Sequence, residues 1–118
     1  MLCAFTKAAC SLLKPGGKYI GINESPFVTR KEDFEKTHKY GVLKLAENDV
    51  SGDGDKLVTK LQGTFKGEDW DCVFDNFYWS QKTLEEAFTQ AGFEYVHWIT
   101  LVVAPEELEK DKEYWEDW

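Results

Sequence analysis

A proline–glycine corner between two apolar segments is the feature that most constrains the fold of this chain. The stretch from Leu12 to Asn23 reads Leu-Leu-Lys-Pro-Gly-Gly-Lys-Tyr-Ile-Gly-Ile-Asn. Upstream, apolar residues recur every three or four positions and so share one helical face: Leu2, Phe5, Ala9 and Leu12. The helix cannot continue through Pro15, Gly16 and Gly17. Tyr19 to Ile22 then lack polar alternation, which predicts a parallel strand covered on both faces and hence an α/β fold.

Length and charge limit the classes of protein that the chain can represent. At 118 residues it is long enough for one domain, spanning 1–118, and too short for two ordinary ones. Its formal net charge of -8 disfavours a nucleic-acid partner, because neutralising phosphates requires clustered Lys and Arg. The sequence contains no long apolar run and no recognisable leader, so we expect neither a membrane span nor secretion.

The cysteines and histidines predict reduced thiols and no metal site. The chain has an odd number of cysteines, Cys3, Cys10 and Cys72, and no Cys-x-x-Cys pair, which is typical of a protein from a reducing compartment. His38 and His97 are too few and too scattered to complete a zinc site with them. We therefore predict a cytoplasmic protein.

The middle of the chain has the pattern of an antiparallel hairpin insertion, at about 41–75. Two short strand candidates, Val42 to Leu45 and Lys56 to Leu61, flank a turn-rich segment from Asn48 to Asp55. A second turn at 66–69 leads into Trp70 to Phe74. Apolar and acidic residues alternate in that last segment, which predicts a strand with one buried face.

The last third of the chain predicts a helix, a strand and a second helix. Ser80 is a candidate N-cap, and Gly92 stands where a left-handed C-terminal cap belongs. The intervening apolar stripe consists of Leu84, Ala87, Phe88 and Ala91. Tyr95 to Val103 is rich in aromatic and β-branched residues and predicts a long strand. Pro105 suits the first turn of a final helix, which we expect to bury Leu108, Trp115 and Trp118.

Several of these segments together resemble the C-terminal half of a class I S-adenosylmethionine-dependent methyltransferase. The resemblance is carried by Leu-Lys-Pro-Gly-Gly before Lys18 to Asn23, by Tyr78-Trp79-Ser80 before a helix, and by Ala91-Gly92-Phe93 before a strand with His97-Trp98. It covers most of the chain. It implies a partial doubly wound, Rossmann-like sheet carrying the antiparallel hairpin insertion, and methyl transfer to a small-molecule acceptor.

The resemblance also implies S-adenosylmethionine as cofactor, although this chain lacks the family's cofactor motif. That motif is a glycine-rich turn after a buried strand, followed by an acidic residue that ends the next strand. Gly52-Asp53-Gly54-Asp55 superficially resembles such a turn, but no buried strand precedes it and no helix follows. We therefore expect this chain to be the substrate-side half, or a fragment, of a longer methyltransferase.

Four residues are candidates for substrate binding, and no catalytic residue is identified. Asn23 and Glu24 follow the first predicted strand, at the edge where open α/β sheets bind ligands. Tyr78 and Trp79 precede the Ser80 helix and could stack on a planar substrate, although core packing is the more frequent role of such aromatics. For the same reason we interpret Tyr40, Trp70 and Trp98 as packing residues.

Two alternatives to methyl transfer remain open from the sequence. The first is a non-catalytic interaction module whose open sheet edge is covered by a partner chain or, in a homodimer, by a second copy. The second is a small thiol hydrolase that uses Cys10 and His97, although no orienting acid is evident.

Overall fold

The structure is a computed structural model that describes residues 1–22, 26–45 and 48–116. It is a mixed α/β fold with a three-stranded antiparallel sheet. The elements are α1 (Leu2–Ser11), α2 (Lys31–Glu35), a 3₁₀ helix (Lys36–Tyr40), β1 (Val42–Leu45), β2 (Lys56–Phe65), β3 (Glu68–Phe77), α3 (Gln81–Ala91), α4 (Pro105–Lys110) and α5 (Lys112–Trp115).

The best-defined helix is α3, whose two ends carry the predicted caps. Ser80 has extended backbone angles, and its side chain accepts a hydrogen bond from the Thr83 N–H. Gly92 ends the helix in the left-handed region at φ 109°. The stripe that α3 buries includes Leu84, Ala87 and Phe88, and this face packs against α1. The sequence prediction for this helix is confirmed.

The sheet has strand order β1-β2-β3, with both pairs antiparallel. Lys66 and Gly67 both have positive φ, which is the type I′ geometry that matches the twist of a two-residue hairpin between β2 and β3. Leu61 lies opposite Val42 of β1 and opposite Cys72 of β3. The antiparallel pairing that the sequence predicts for 42–45 and 56–61 is confirmed.

The apolar core is small. Among the described residues, it consists of Phe34, Leu57, Leu84, Ala87 and Phe88. The radius of gyration is 16.8 Å, whereas a compact domain of this length is expected near about 13.5 Å. The molecule is therefore more open than an ordinary domain.

Two predicted strands do not form in this structure. Neither Tyr19 to Ile22 nor Tyr95 to Val103 pairs with a strand in the part of the chain that is described. Their apolar residues are largely exposed: Ile20 87%, Ile22 84%, Ile99 75%, Leu101 58% and Val102 82%. A strand needs a neighbour for its backbone groups, and the only sheet among the described residues consists of β1 to β3.

Two burial predictions are also wrong, those for β3 and for Leu108. The shared apolar face at the start of the chain is not a core face either: Phe5 of α1 and Leu12, which follows that helix, are exposed, and the fully buried residue of α1 is Thr6. β3 has no buried face, because α2 and the 3₁₀ helix lie over β1 rather than over β3. Leu108 is 40% exposed on α4, while Trp115 is half-buried and stacks on Tyr40 with ring centroids 5.9 Å apart. The prediction for Trp118 lies outside the described residues.

None of the helices in the described part of the chain has both the length and the apolar content that crossing a membrane requires.

Candidate functional site

The N-terminus of α3 is tied to the acidic loop that precedes β2. One carboxylate oxygen of Asp53 accepts a hydrogen bond from the Ser80 backbone N–H. The other accepts from the Ser80 hydroxyl at 3.1 Å and from the Thr83 hydroxyl. A carboxylate in this position also complements the positive end of the helix dipole. Asp53 therefore supplements the Ser80 cap from a distant part of the chain.

The same loop is closed by Asp55. Its Oδ2 accepts hydrogen bonds from the Ser51 N–H at 2.7 Å, the Ser51 hydroxyl at 2.8 Å and the Gly52 N–H at 3.2 Å. Beyond the two strands, the Tyr78 N–H donates to the Asp55 carbonyl and the Gly54 N–H donates to the Tyr78 carbonyl, both at 2.8 Å. The hairpin thus continues past β2 and β3 and fixes the loop beside Tyr78.

Hydrogen bonding keeps both carboxylates ionised. The Thr83 hydroxyl, followed by the Ser80 backbone N–H, lowers the pKa of Asp53 from its ordinary 3.8. The backbone N–H and then the hydroxyl of Ser51 lower the pKa of Asp55 in the same way. A carboxyl with a lowered pKa is a poor general base near neutral pH. Chemically, these groups are acceptors that hold the loop in place.

A cleft of about 270 Å³ lies between this loop and the segment at 26–29. Two hydrogen bonds join the two sides of the cleft. The Tyr78 hydroxyl donates to the Pro26 carbonyl at 2.8 Å, and the Val50 N–H donates to the Thr29 carbonyl at 2.8 Å. The lining residues are Thr29, Val50, Ser51, Gly52, Asp53, Tyr78 and Ser80. This mixture of one aromatic ring, hydroxyls and an ionised carboxylate suits a small polar ligand that donates hydrogen bonds.

A larger depression, of about 420 Å³, has a different character. It is lined only by charged residues: Arg30, Lys31, Glu32, Glu35 and Asp49. Arg30 and Glu32 pair at 3.4 Å, and the Asp49 carboxylate accepts the Lys31 backbone N–H at 2.7 Å. It contains none of the predicted site residues, and we therefore regard the smaller cleft as the candidate site.

The structure brings only part of the predicted site together. Tyr78 lines the cleft, and its hydroxyl contacts Pro26, two positions after Glu24 in the chain. Asn23 and Glu24 themselves lie outside the described residues. Trp79 is half-buried beside the Gly54 turn, where its ring lies 4.0 Å from the position of an added Cβ. Of the four predicted residues, Tyr78 alone is a described lining residue of this cleft.

Sequence reasoning missed Asp53 and the partner of Trp98. The sequence predicts only a turn residue at Asp53, whereas its carboxylate accepts hydrogen bonds from residues 27 and 30 positions along the chain. The Trp98 indole N–H donates to Glu85 Oε1 at 2.7 Å, which fixes the extended segment against α3. No local sequence pattern predicts the contact between Trp98 and Glu85. For Asp53, the one sequence signal is that an acidic residue stands in a glycine-rich turn.

The described residues offer no evident cofactor or metal site. The Gly52–Asp55 turn lies in the connection between β1 and β2 and leads directly into a strand rather than a helix, so it does not fit a nucleotide cofactor. No group of three potential metal ligands converges among the residues that the structure describes. Cys10 is half-buried on α1, and its Sγ lies 3.4 Å from the position of a Cβ added at Gly92.

Comparisons of this chain with known protein families, with curated proteins and with solved structures found no match.

Proposed function

We propose that the parent protein transfers a methyl group from S-adenosylmethionine to a small-molecule acceptor, and that this chain supplies the substrate-side half of a doubly wound sheet. The observation that carries the proposal is a contact between the two corner motifs of the resemblance. Tyr19, directly after the Pro-Gly-Gly corner, packs on Phe88 at 5.6 Å and on Phe93 at 6.5 Å between ring centroids. Phe93 belongs to the Ala-Gly-Phe corner that ends α3.

Two segments that begin at or near this aromatic cluster have no strand partner in the described structure. They are Tyr19 to Ile22 and Tyr95 to Val103, and their exposed β-branched residues are typical of strands that are buried on both faces. Additional strands would give their backbone groups partners and would cover Ile20, Ile22 and Ile99. The open shape of the molecule supports the same proposal.

S-adenosylmethionine would supply the electrophilic methyl group, and residues outside this chain would hold it, because the described residues do not fit that cofactor. This chain would bind and orient the acceptor through Tyr78 and Asp53, with Trp79, Asn23 and Glu24 beside them. Positioning dominates such transfers, so a half without the cofactor site has no reaction centre of its own. The acidic balance favours a small metabolite over nucleic acid, and the free cysteines favour a cytoplasmic location.

The test is isothermal titration with S-adenosylmethionine and S-adenosylhomocysteine. We compare this chain with the polypeptide encoded when the same reading frame is extended upstream. We expect no binding by this chain and roughly micromolar binding by the longer polypeptide. Binding by this chain alone would overturn the half-site proposal, and a longer polypeptide that does not bind, or a reading frame without an extension, would overturn methyl transfer.

A non-catalytic interaction module is the alternative proposal, and one observation favours it. β3 is a ten-residue strand at the edge of the sheet, and none of the described elements covers its outer side. Such an edge is a template for another chain, which can be a partner protein or a second copy.

A further inference from the structure

We propose that two copies of this chain pair through β3, antiparallel, with the two-fold axis at Cys72. The inference rests on the alternative function, self-association, and gives it a surface and a register. It does not depend on methyl transfer.

One side of the β3 backbone has no neighbouring strand in the described structure. The Tyr78 N–H donates to the Asp55 carbonyl, which continues the β2–β3 register and identifies residues 55 and 78 as a hydrogen-bonded pair. Bonded pairs alternate along an antiparallel ladder, so even-numbered β3 residues bond to β2. The odd-numbered residues from Asp69 to Asp75 therefore point their N–H and C=O groups outward, where the described structure provides no partner for them. At the end of the strand, the Phe77 N–H donates to Asn76 Oδ1 at 2.9 Å.

Three of the usual protections of an edge strand are missing from β3. It contains no proline, no lysine and no bulge, since all ten of its residues pair with β2 in continuous register. Its carboxylates offer limited protection. Asp71 pairs with Lys60 at 2.7 Å and Asp75 with Lys56 at 2.8 Å, both across the β2–β3 ladder.

The aromatic residues of β3 continue the face that Phe34 covers over β1. Trp70, Cys72 and Phe74 share one face with Leu57, Thr59 and Leu61 of β2. They are nevertheless exposed, Trp70 by 47% and Phe74 by 41%. A second sheet placed edge to edge extends this face and gives the two aromatic rings neighbours.

A second copy fits this edge because the strand is self-complementary about Cys72. In that register Trp70 of each copy lies opposite Phe74 of the other copy, and Asp71 of each copy lies opposite Val73 of the other. Registers centred on Asp71 or Val73 place carboxylates directly opposite each other near the axis, which is destabilising. A register centred on Phe74 moves Trp70 opposite Tyr78, beyond the end of the strand.

The chosen register also limits electrostatic repulsion and closes the assembly. Its two directly opposed acidic pairs, Asp69 with Asp75 in each direction, lie at the two ends. At these ends Asp69 accepts a hydrogen bond from the Thr64 hydroxyl at 2.7 Å, and Asp75 forms a salt bridge with Lys56 of its own copy. The interface is isologous, since the same strand contributes from both copies, so pairing ends at the dimer and does not continue into a filament.

Sedimentation of a proline variant tests the pairing. Val73→Pro removes an outward N–H and leaves the β2–β3 bonds intact, because proline is tolerated where the N–H faces away from the sheet. We expect the wild-type chain and the matched control Val73→Ala to dimerise as concentration rises, while Val73→Pro stays monomeric with an unchanged circular dichroism spectrum. A wild-type chain that stays monomeric throughout, or a Val73→Pro dimer, overturns the proposal.

Cysteine cross-linking tests the register and keeps the proposal falsifiable if the proline variant fails to fold. Cys72 on the axis falls in a non-hydrogen-bonded pair, whose Cα separation of about 4.5 Å lies within the range of a disulfide. Copper phenanthroline is the oxidant: it takes two electrons from two thiols, which release two protons as the S–S bond forms. We expect Cys3→Ser/Cys10→Ala, which retains Cys72, to cross-link efficiently.

The chain supplies the matched control for that experiment. Cys3 is exposed but lies on α1, so Cys10→Ala/Cys72→Ser, which retains only Cys3, should stay largely uncross-linked. Equal cross-linking of the two variants indicates random collision and overturns the register. None of these readouts involves S-adenosylmethionine, so their failure is distinct from failure of the methyl-transfer proposal.

Discussion

At the scale of single residues, the hydrogen bonds of the acidic loop determine how it responds to pH. Asp53 is exposed and Asp55 is half-buried, and each carboxylate accepts three hydrogen bonds. Their pKa values in the folded chain lie below the ordinary 3.8, so the folded state favours their ionised forms. The stability that they contribute is therefore fully present above the unfolded pKa, and it is lost as pH falls through the folded pKa.

We expect Asp53→Asn/Asp55→Asn to reduce the acid sensitivity of the fold. The double variant should be less stable than the wild type at neutral pH, and the difference should shrink below about pH 4. Urea unfolding between about pH 7 and pH 3 measures it. Glu94→Gln, at an exposed carboxylate, is the control and should follow the wild type. A constant difference across this range would contradict the assignment.

At the scale of elements, the caps of α3 show which helix boundaries local chemistry decides. Ser80 and Gly92 each act through their own backbone geometry, an extended start and a left-handed end. Both were predicted from the sequence and both are confirmed. The strands differ, because a strand depends on a neighbour that local sequence cannot supply.

We expect Gly92→Ala to lower the free energy of unfolding by about 1 kcal/mol, because alanine is strained at φ 109°. Its Cβ would meet Cys10 Sγ at an ordinary contact distance of 3.4 Å, so the cost arises from the backbone rather than from a clash. Gly52→Ala is the matched control, since nothing lies within 4 Å of its added Cβ and its φ is not positive. Chemical denaturation measures the free energy of unfolding of both variants. Equal losses of stability in Gly92→Ala and Gly52→Ala would contradict a cost that arises from the backbone of Gly92.

At the scale of the whole molecule, stability depends on few buried side chains. Phe34 is 1% exposed and packs beneath β1, where the Lys44 ammonium lies 4.9 Å from its ring centroid. A separate aromatic group formed by Tyr40, Tyr114 and Trp115 joins the 3₁₀ helix to α5. So small a core makes each of its members important.

We expect Phe34→Ala to cost about 3–4 kcal/mol, which removes much of the stability of a domain of this size. Phe27→Ala is the matched control: Phe27 is 70% exposed, and its truncation should change stability by less than about 1 kcal/mol. Thermal unfolding followed by circular dichroism measures both. Similar midpoints for the two variants would show that Phe34 is not a core residue.

The sequence by itself determined both ends of α3, a stop for α1 before the corner at 15–17, the turns around 48–55 and 66–69, and the proline start of α4, because each depends on the backbone preferences of a few adjacent residues. Only the tertiary structure decided that Asp53 binds the start of α3, that Trp98 binds Glu85, and that Tyr19 to Ile22 and Tyr95 to Val103 remain unpaired. The physical reason is distance along the chain. A helix cap is complete within one helical turn, whereas a hydrogen bond between distant residues or a β-ladder exists only when folding brings a second segment of the chain beside the first.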